Sequence, residues 1–96
     1  MPRIARSAKS GVSIAKVISP REWVEPGQRP ELTEYTAVLS GTLCVEYKGS
    51  VMEVRSGQPV VTEPEERVRY FTPERAAYLG VCIPAFLPHT VHRYPP

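Results

Sequence analysis

Histidine, cysteine and long apolar runs are the scarce elements of this chain. Only two histidines, His89 and His92, occur in 96 residues, and both stand near the C-terminal end. A metal centre built on several imidazoles therefore has little to draw on. Cysteine is equally sparse: Cys44 and Cys82 have no CxxC partner, which argues against a zinc knuckle or a disulfide framework and predicts buried free thiols. No apolar run approaches the length of a membrane span. The first residues also lack the apolar stretch and small-residue cleavage site of a secretory signal, so a cytoplasmic protein with no membrane partner is expected.

A sustained apolar stripe at helical spacing is also missing, and eleven prolines and six glycines interrupt the chain at short intervals. Long helices are thereby excluded, and an all-β fold is expected. Short segments rich in Val, Thr, Tyr and Ile alternate with turn signals, as in a sandwich or barrel. About seven strands are predicted: residues 12–18, Thr33–Ser40, Thr42–Tyr47, residues 51–55, Pro59–Thr62, residues 67–72 and Ala76–Ile83. Lys48-Gly49-Ser50 supplies a tight hairpin turn in which Gly49 can take a positive φ. Residues 21–30 read as a polar connection, with Trp23 covering a barrel end or a dimer surface.

The length allows one core, hence one domain over residues 1–96, with a basic tail at 1–11 and a proline-rich tail at 84–96 laid across the surface. A small core gains from having one face covered, so a homodimer is expected. The net charge is only +2, and the basic residues Arg3, Arg6, Lys9 and Lys16 come without an aromatic stacking platform. Nucleic acid is therefore not an expected partner.

The order of strands and turns resembles the cupin superfamily, whose first signature runs G-x5-H-x-H-x(3 or 4)-E-x6-G. Glu34 through Gly41 fits the E-x6-G half without a gap. The second signature, G-x5-P-x-G-x2-H-x3-N, is matched loosely by Gly57, by Pro64 one place late and by Arg69 where the histidine would stand. The stretch TLCVEYKGSVMEVRSG looks like the hairpin linking the two. The resemblance implies a single antiparallel jelly-roll barrel over residues 12–83. It also implies a divalent metal held by two histidines and a glutamate of the first signature and a histidine of the second. Those positions fall here at Gln28, Pro30, Glu34 and Arg69, so one ligand of four remains. A proline side chain has no lone pair to give and a guanidinium stays protonated. The aligned site is thus expected to hold no metal cofactor, with Arg69 neutralising Glu34 in its place.

Strand alternation groups Glu34 with Thr36 and Val38, and Arg69 with Arg67 and Phe71. A slip of one residue would turn either set outward. With both sets inward, the pocket offers Glu34, Thr36, Arg67, Arg69 and Tyr78 against apolar walls, a lining suited to a small organic anion. A fully packed barrel with a structural Arg–Glu pair is the plainer alternative. The metalloenzyme alternative joins Glu34 to His89 and His92 around Mn, Fe, Ni or Zn for oxygenase, isomerase or decarboxylase chemistry. Neither Ser40 nor Cys44 lies in a nucleophile setting, and Glu63, Glu65 and Glu66 read as a solvated corner. Tyr35, Tyr47, Tyr70, Tyr78 and Tyr94 read as core and interface aromatics, although sugar-epimerising cupins use a tyrosine as acid/base.

Overall fold

A computed structural model describes residues 2–25, 27 and 30–86. Among them the chain forms β1 (Arg3–Lys9), β2 (Val12–Ser19), β3 (Trp23–Val24), β4 (Thr33–Ser40), β5 (Thr42–Tyr47), β6 (Ser50–Arg55), β7 (Pro59–Thr62), β8 (Val68–Thr72) and β9 (Ala76–Ile83). Every pairing is antiparallel. A five-stranded sheet runs β1-β2-β9-β4-β7 and packs on a four-stranded sheet, β3-β8-β5-β6. The all-β barrel expected from the sequence is present, and no helix long and apolar enough to cross a membrane occurs among the described residues.

Turn chemistry fixes the registers. Lys48 and Gly49 both take positive φ, 50° and 76°, the combination that lets a two-residue turn follow the strand twist, so β5 and β6 pair from Tyr47–Ser50 to Thr42–Arg55. Ser10 and Gly11 do the same at 53° and 78°. That turn corrects the expectation of a loose tail at residues 1–11: β1 folds back on β2 along its whole length. Its seven residues are exposed because β1 is the edge strand, so burial could not mark it in the sequence. Trp23–Val24, read as loop, adds a short strand to β8. Of the expected tail at 84–96, residues 84–86 are described, and His89 and His92 lie outside the described residues.

The core fills the space between the sheets. Val17, Val38, Leu43, Val45, Val68 and Tyr70 form its centre, and each full burial of a side chain of this size contributes about 1.5–3 kcal/mol. Along β9, Ala76, Tyr78, Gly80 and Cys82 face inward and are buried, while Ala77, Leu79 and Val81 on the other face are half-buried. Cys44 and Cys82 are both buried and free, as the sequence implied.

Candidate functional site

The inner face of the five-stranded sheet places Glu34 of β4 beside Gly80 and Cys82 of β9. Opposite stands Tyr70 of β8, whose hydroxyl donates to Glu34 Oε1 at 2.7 Å. The same phenolic oxygen lies 3.3 Å from both Thr36 Oγ1 and Thr62 Oγ1. A phenol donates one proton and accepts at two lone pairs, so Tyr70 gives its proton to the carboxylate and takes one from each threonine. Cys82 Sγ donates to Glu34 Oε2 at 3.5 Å. Gly80 makes this arrangement possible, since a Cβ there would sit 3.3 Å from Glu34 Oε2.

Burial first, then the Glu34 charge, pushes the Tyr70 hydroxyl well above its ordinary value of 10.0. Burial and the same neighbouring charge push the Cys82 thiol up to about 12. Tyr78 is likewise raised, chiefly by burial; its hydroxyl bonds Ser19 Oγ at 3.2 Å and its ring meets that of Tyr70 edge to face at 6.3 Å. All these groups therefore stay neutral at physiological pH around the Glu34 carboxylate.

They border a cavity of about 110 Å³ whose lining includes Trp23, Glu25, Leu32, Glu34, Tyr70 and Tyr78. Glu25, only 7% exposed, follows β3; its Oε1 accepts the Tyr70 N–H at 2.9 Å and its own N–H donates to the Tyr70 carbonyl at 3.1 Å. At the rim, the Phe86 N–H donates to Ser13 Oγ at 2.8 Å, holding the chain after β9 across β2. The Arg6 guanidinium of β1 lies 4.2 Å from the Phe86 ring centroid, a cation–π contact.

The five residues singled out in the sequence divide between two faces. Glu34, Thr36 and Tyr78 point into the barrel. Arg69 does not: β8 turns Val68, Tyr70 and Thr72 inward, and Arg69 pairs across the strands with Glu46 at 3.6 Å on the outer face. Arg67, just before β8, is exposed, in a cleft with Tyr47 and Glu66. The expected Glu34–Arg69 pair is thus corrected to Glu34–Tyr70. The physical reason is burial: in residues 67–72, Val-Tyr-Thr is the less polar of the two alternating sets, and turning it inward avoids desolvating two guanidinium groups. Arg6, Ser13, Glu25 and Phe86 were missed, because no local pattern marks residues brought to the pocket from an edge strand, its neighbour β2 and two connections.

Among the described residues, the positions aligned with the metal ligands that the resemblance implies do not supply that donor set. Of the aligned positions described, Pro30 is buried and offers no ligand, and Arg69 faces away. Glu34 is the one aligned ligand position among the described residues whose side chain faces the cavity. No group of three or more His, Cys, Asp or Glu side chains that could hold a metal ion occurs among the described residues. Donation from His89 and His92 falls outside them.

No family model matches the chain. Comparison with solved structures decides the fold. The barrel superposes on a cupin superfamily protein from Desulfitobacterium hafniense with a TM-score of 0.81, at 10% identity over 86% of this chain and 77% of that one. The protein has the cupin fold. Two other structural relatives of this chain are a putative ethanolamine utilization protein Q from Salmonella typhimurium and KdgF from Halomonas. The first gives a TM-score of 0.78 at 20% identity over 86% of this chain and 69% of that one. The second gives 0.79 at 16% identity over 86% and 78%. In sequence, the chain is 33% identical over 94 residues, 96% of its length, to an endoribonuclease YbeY from Myxococcus xanthus. It spans 32% of that protein, about a third.

Proposed function

We propose that this cupin is a metal-independent binding module of the cytosol that holds a small organic molecule in the cavity between its sheets. The observation that carries this reading is the Glu34 carboxylate, presented to a lined cavity by Tyr70 and Cys82 through bonds of 2.7 and 3.5 Å. Two buried free thiols agree with a reducing compartment. The cavity, about 110 Å³, is far smaller than the ~300–1,000 Å³ of drug-sized sites, which favours a ligand of few atoms. An anion was expected only because Arg69 was expected inside, and that support is gone with Arg69 on the outer face.

That a stretch like this whole barrel makes up 32% of a longer endoribonuclease supports the reading of a module rather than a self-sufficient enzyme. The test has two arms. After purification without a histidine tag and exposure to Mn, Fe, Ni and Zn, the protein should carry far less than one equivalent of metal. A fragment screen by NMR should give saturable shifts at Tyr70, Tyr78 and Gly80. Stoichiometric metal, or RNA cleavage by the chain that disappears in Glu34→Gln, would overturn the proposal.

We also propose a homodimer through the outer face of the five-stranded sheet. Ile14, Val81, Tyr35 and Val61 form one apolar row across four of its strands by direct register, and Ile14, Tyr35 and Val61 are each nearly half exposed. The next row holds Leu79, Ala37 and Pro59, with Lys16 at its end. Two rows about 7 Å apart on four strands about 4.8 Å apart present roughly 250 Å² in projection. A contiguous exposed apolar face is the mark of an interaction site, and this one would form the centre of a standard interface of about 800 Å² per partner. A second copy is the partner whose own surface carries a matching patch by symmetry. Sedimentation should show a dimer that Tyr35→Glu converts to a folded monomer; a monomeric native chain would end this proposal.

A further inference from the structure

The geometry points to a small organic cation, a protonated amine of a few heavy atoms, as the molecule this pocket receives on Glu34. The inference rests on the pocket being a ligand site, as proposed above. Its first support is charge. Glu34 forms no ion pair with any described side chain, and its two hydrogen-bond donors, the Tyr70 hydroxyl and the Cys82 thiol, are neutral. An ionised carboxylate has about four acceptor positions, so two remain. A half-buried carboxylate beside apolar walls, in no ion pair with a described side chain, is costly, and an ammonium group supplies both the charge and the missing donors.

The second support is the wall. Trp23, Tyr70, Tyr78 and Phe86 put aromatic surface around the cavity, and ring faces attract cations while repelling anions. Phe86 already holds one cation, the Arg6 guanidinium at 4.2 Å. Ala15, Val17 and Leu32 complete an apolar surface for a short alkyl group. A second carboxylate, Glu25, lines the same space, so an entering anion would face two acidic residues, with Arg6 the one basic residue among the described lining. The volume of about 110 Å³ limits the alkyl part to a few carbons.

The test titrates the intact 15N-labelled chain near neutral pH with ethylammonium and tetramethylammonium, with ethanol as the neutral counterpart and acetate as the anion. The ammonium ions should give saturable shifts at Tyr70, Tyr78 and Gly80, at least about tenfold tighter than ethanol, one charge-assisted contact being worth about that factor. Glu34→Gln, nearly isosteric, should remove the preference while leaving the fold's circular dichroism unchanged. The comparison of cation with alcohol needs no variant, so it stands even if Glu34→Gln folds poorly. Equal binding of ethanol and ammonium, or binding of acetate alone, would overturn the cation inference and leave the binding-module reading standing. Silence of the pocket toward these probes and toward a broad fragment screen would overturn both.

Discussion

The hydroxyl of Tyr70 and the carboxylate of Glu34, from strands in opposite sheets, meet at 2.7 Å inside the barrel. This bond ties the sheets together at the pocket and leaves Glu34 oriented toward the cavity. Because Thr36 and Thr62 spend their hydroxyls on the same phenolic oxygen, removing that one atom strands three buried or half-buried groups at once.

Tyr70→Phe is therefore expected to lower stability by about 1–3 kcal/mol in urea unfolding, the cost of leaving buried polar groups unsatisfied. The ring itself stays, so the loss reports the hydroxyl. A change within about 0.3 kcal/mol would place the phenol outside the network.

Alkaline pH should weaken the fold through the same groups. Cys82 rises from an ordinary 9.0 to about 12 and Tyr70 rises well above 10.0, so in each case the folded state keeps its proton longer than the unfolded state. Their contributions are complete below pH 9, and stability then falls as pH climbs toward the folded-state values, by up to about 1.4 kcal/mol per pH unit for each group. Urea titrations at rising pH should show this decline, and Cys82→Ala should delay its onset. A flat profile would contradict the burial of both.

The glycines offer a graded comparison. At Gly41, with φ +76°, a Cβ would come 2.5 Å from the Arg75 carbonyl oxygen, so Gly41→Ala should cost at least about 2 kcal/mol in thermal or chemical unfolding. Gly57, with φ +84° and nothing within 4 Å, carries only the conformational cost of roughly 1 kcal/mol. Gly80→Ala meets the movable end of Glu34 at 3.3 Å; it should change stability less than Gly41→Ala yet disturb the Tyr70–Glu34 bond, seen in the Tyr70 NMR signals.

Arg69 and Glu34 lie on opposite faces of the barrel wall, so Arg69→Met and Glu34→Gln should act independently. Their stability changes should add within about 0.5 kcal/mol in a double-mutant cycle, the limit typical of sites that do not touch. A coupling well beyond that would restore the direct pair that the strand register excludes.

What the sequence determined by itself was the kind of fold and much of its wiring. Proline and glycine spacing ruled out helices, Lys48-Gly49 set a hairpin, and the E-x6-G match carried Glu34 to the interior, where Thr36 and Tyr78 also stand. Such features are local: a turn's φ angles and a strand's two-residue period depend on neighbouring residues alone. Tertiary structure decided which residue answers Glu34. Alternation in β8 limits the choice to Arg69's set or Tyr70's, and only burial of Val68, Tyr70 and Thr72 against the other sheet resolves it. It also brought Arg6 and Phe86 to one rim, two residues 80 positions apart whose contact no local pattern encodes.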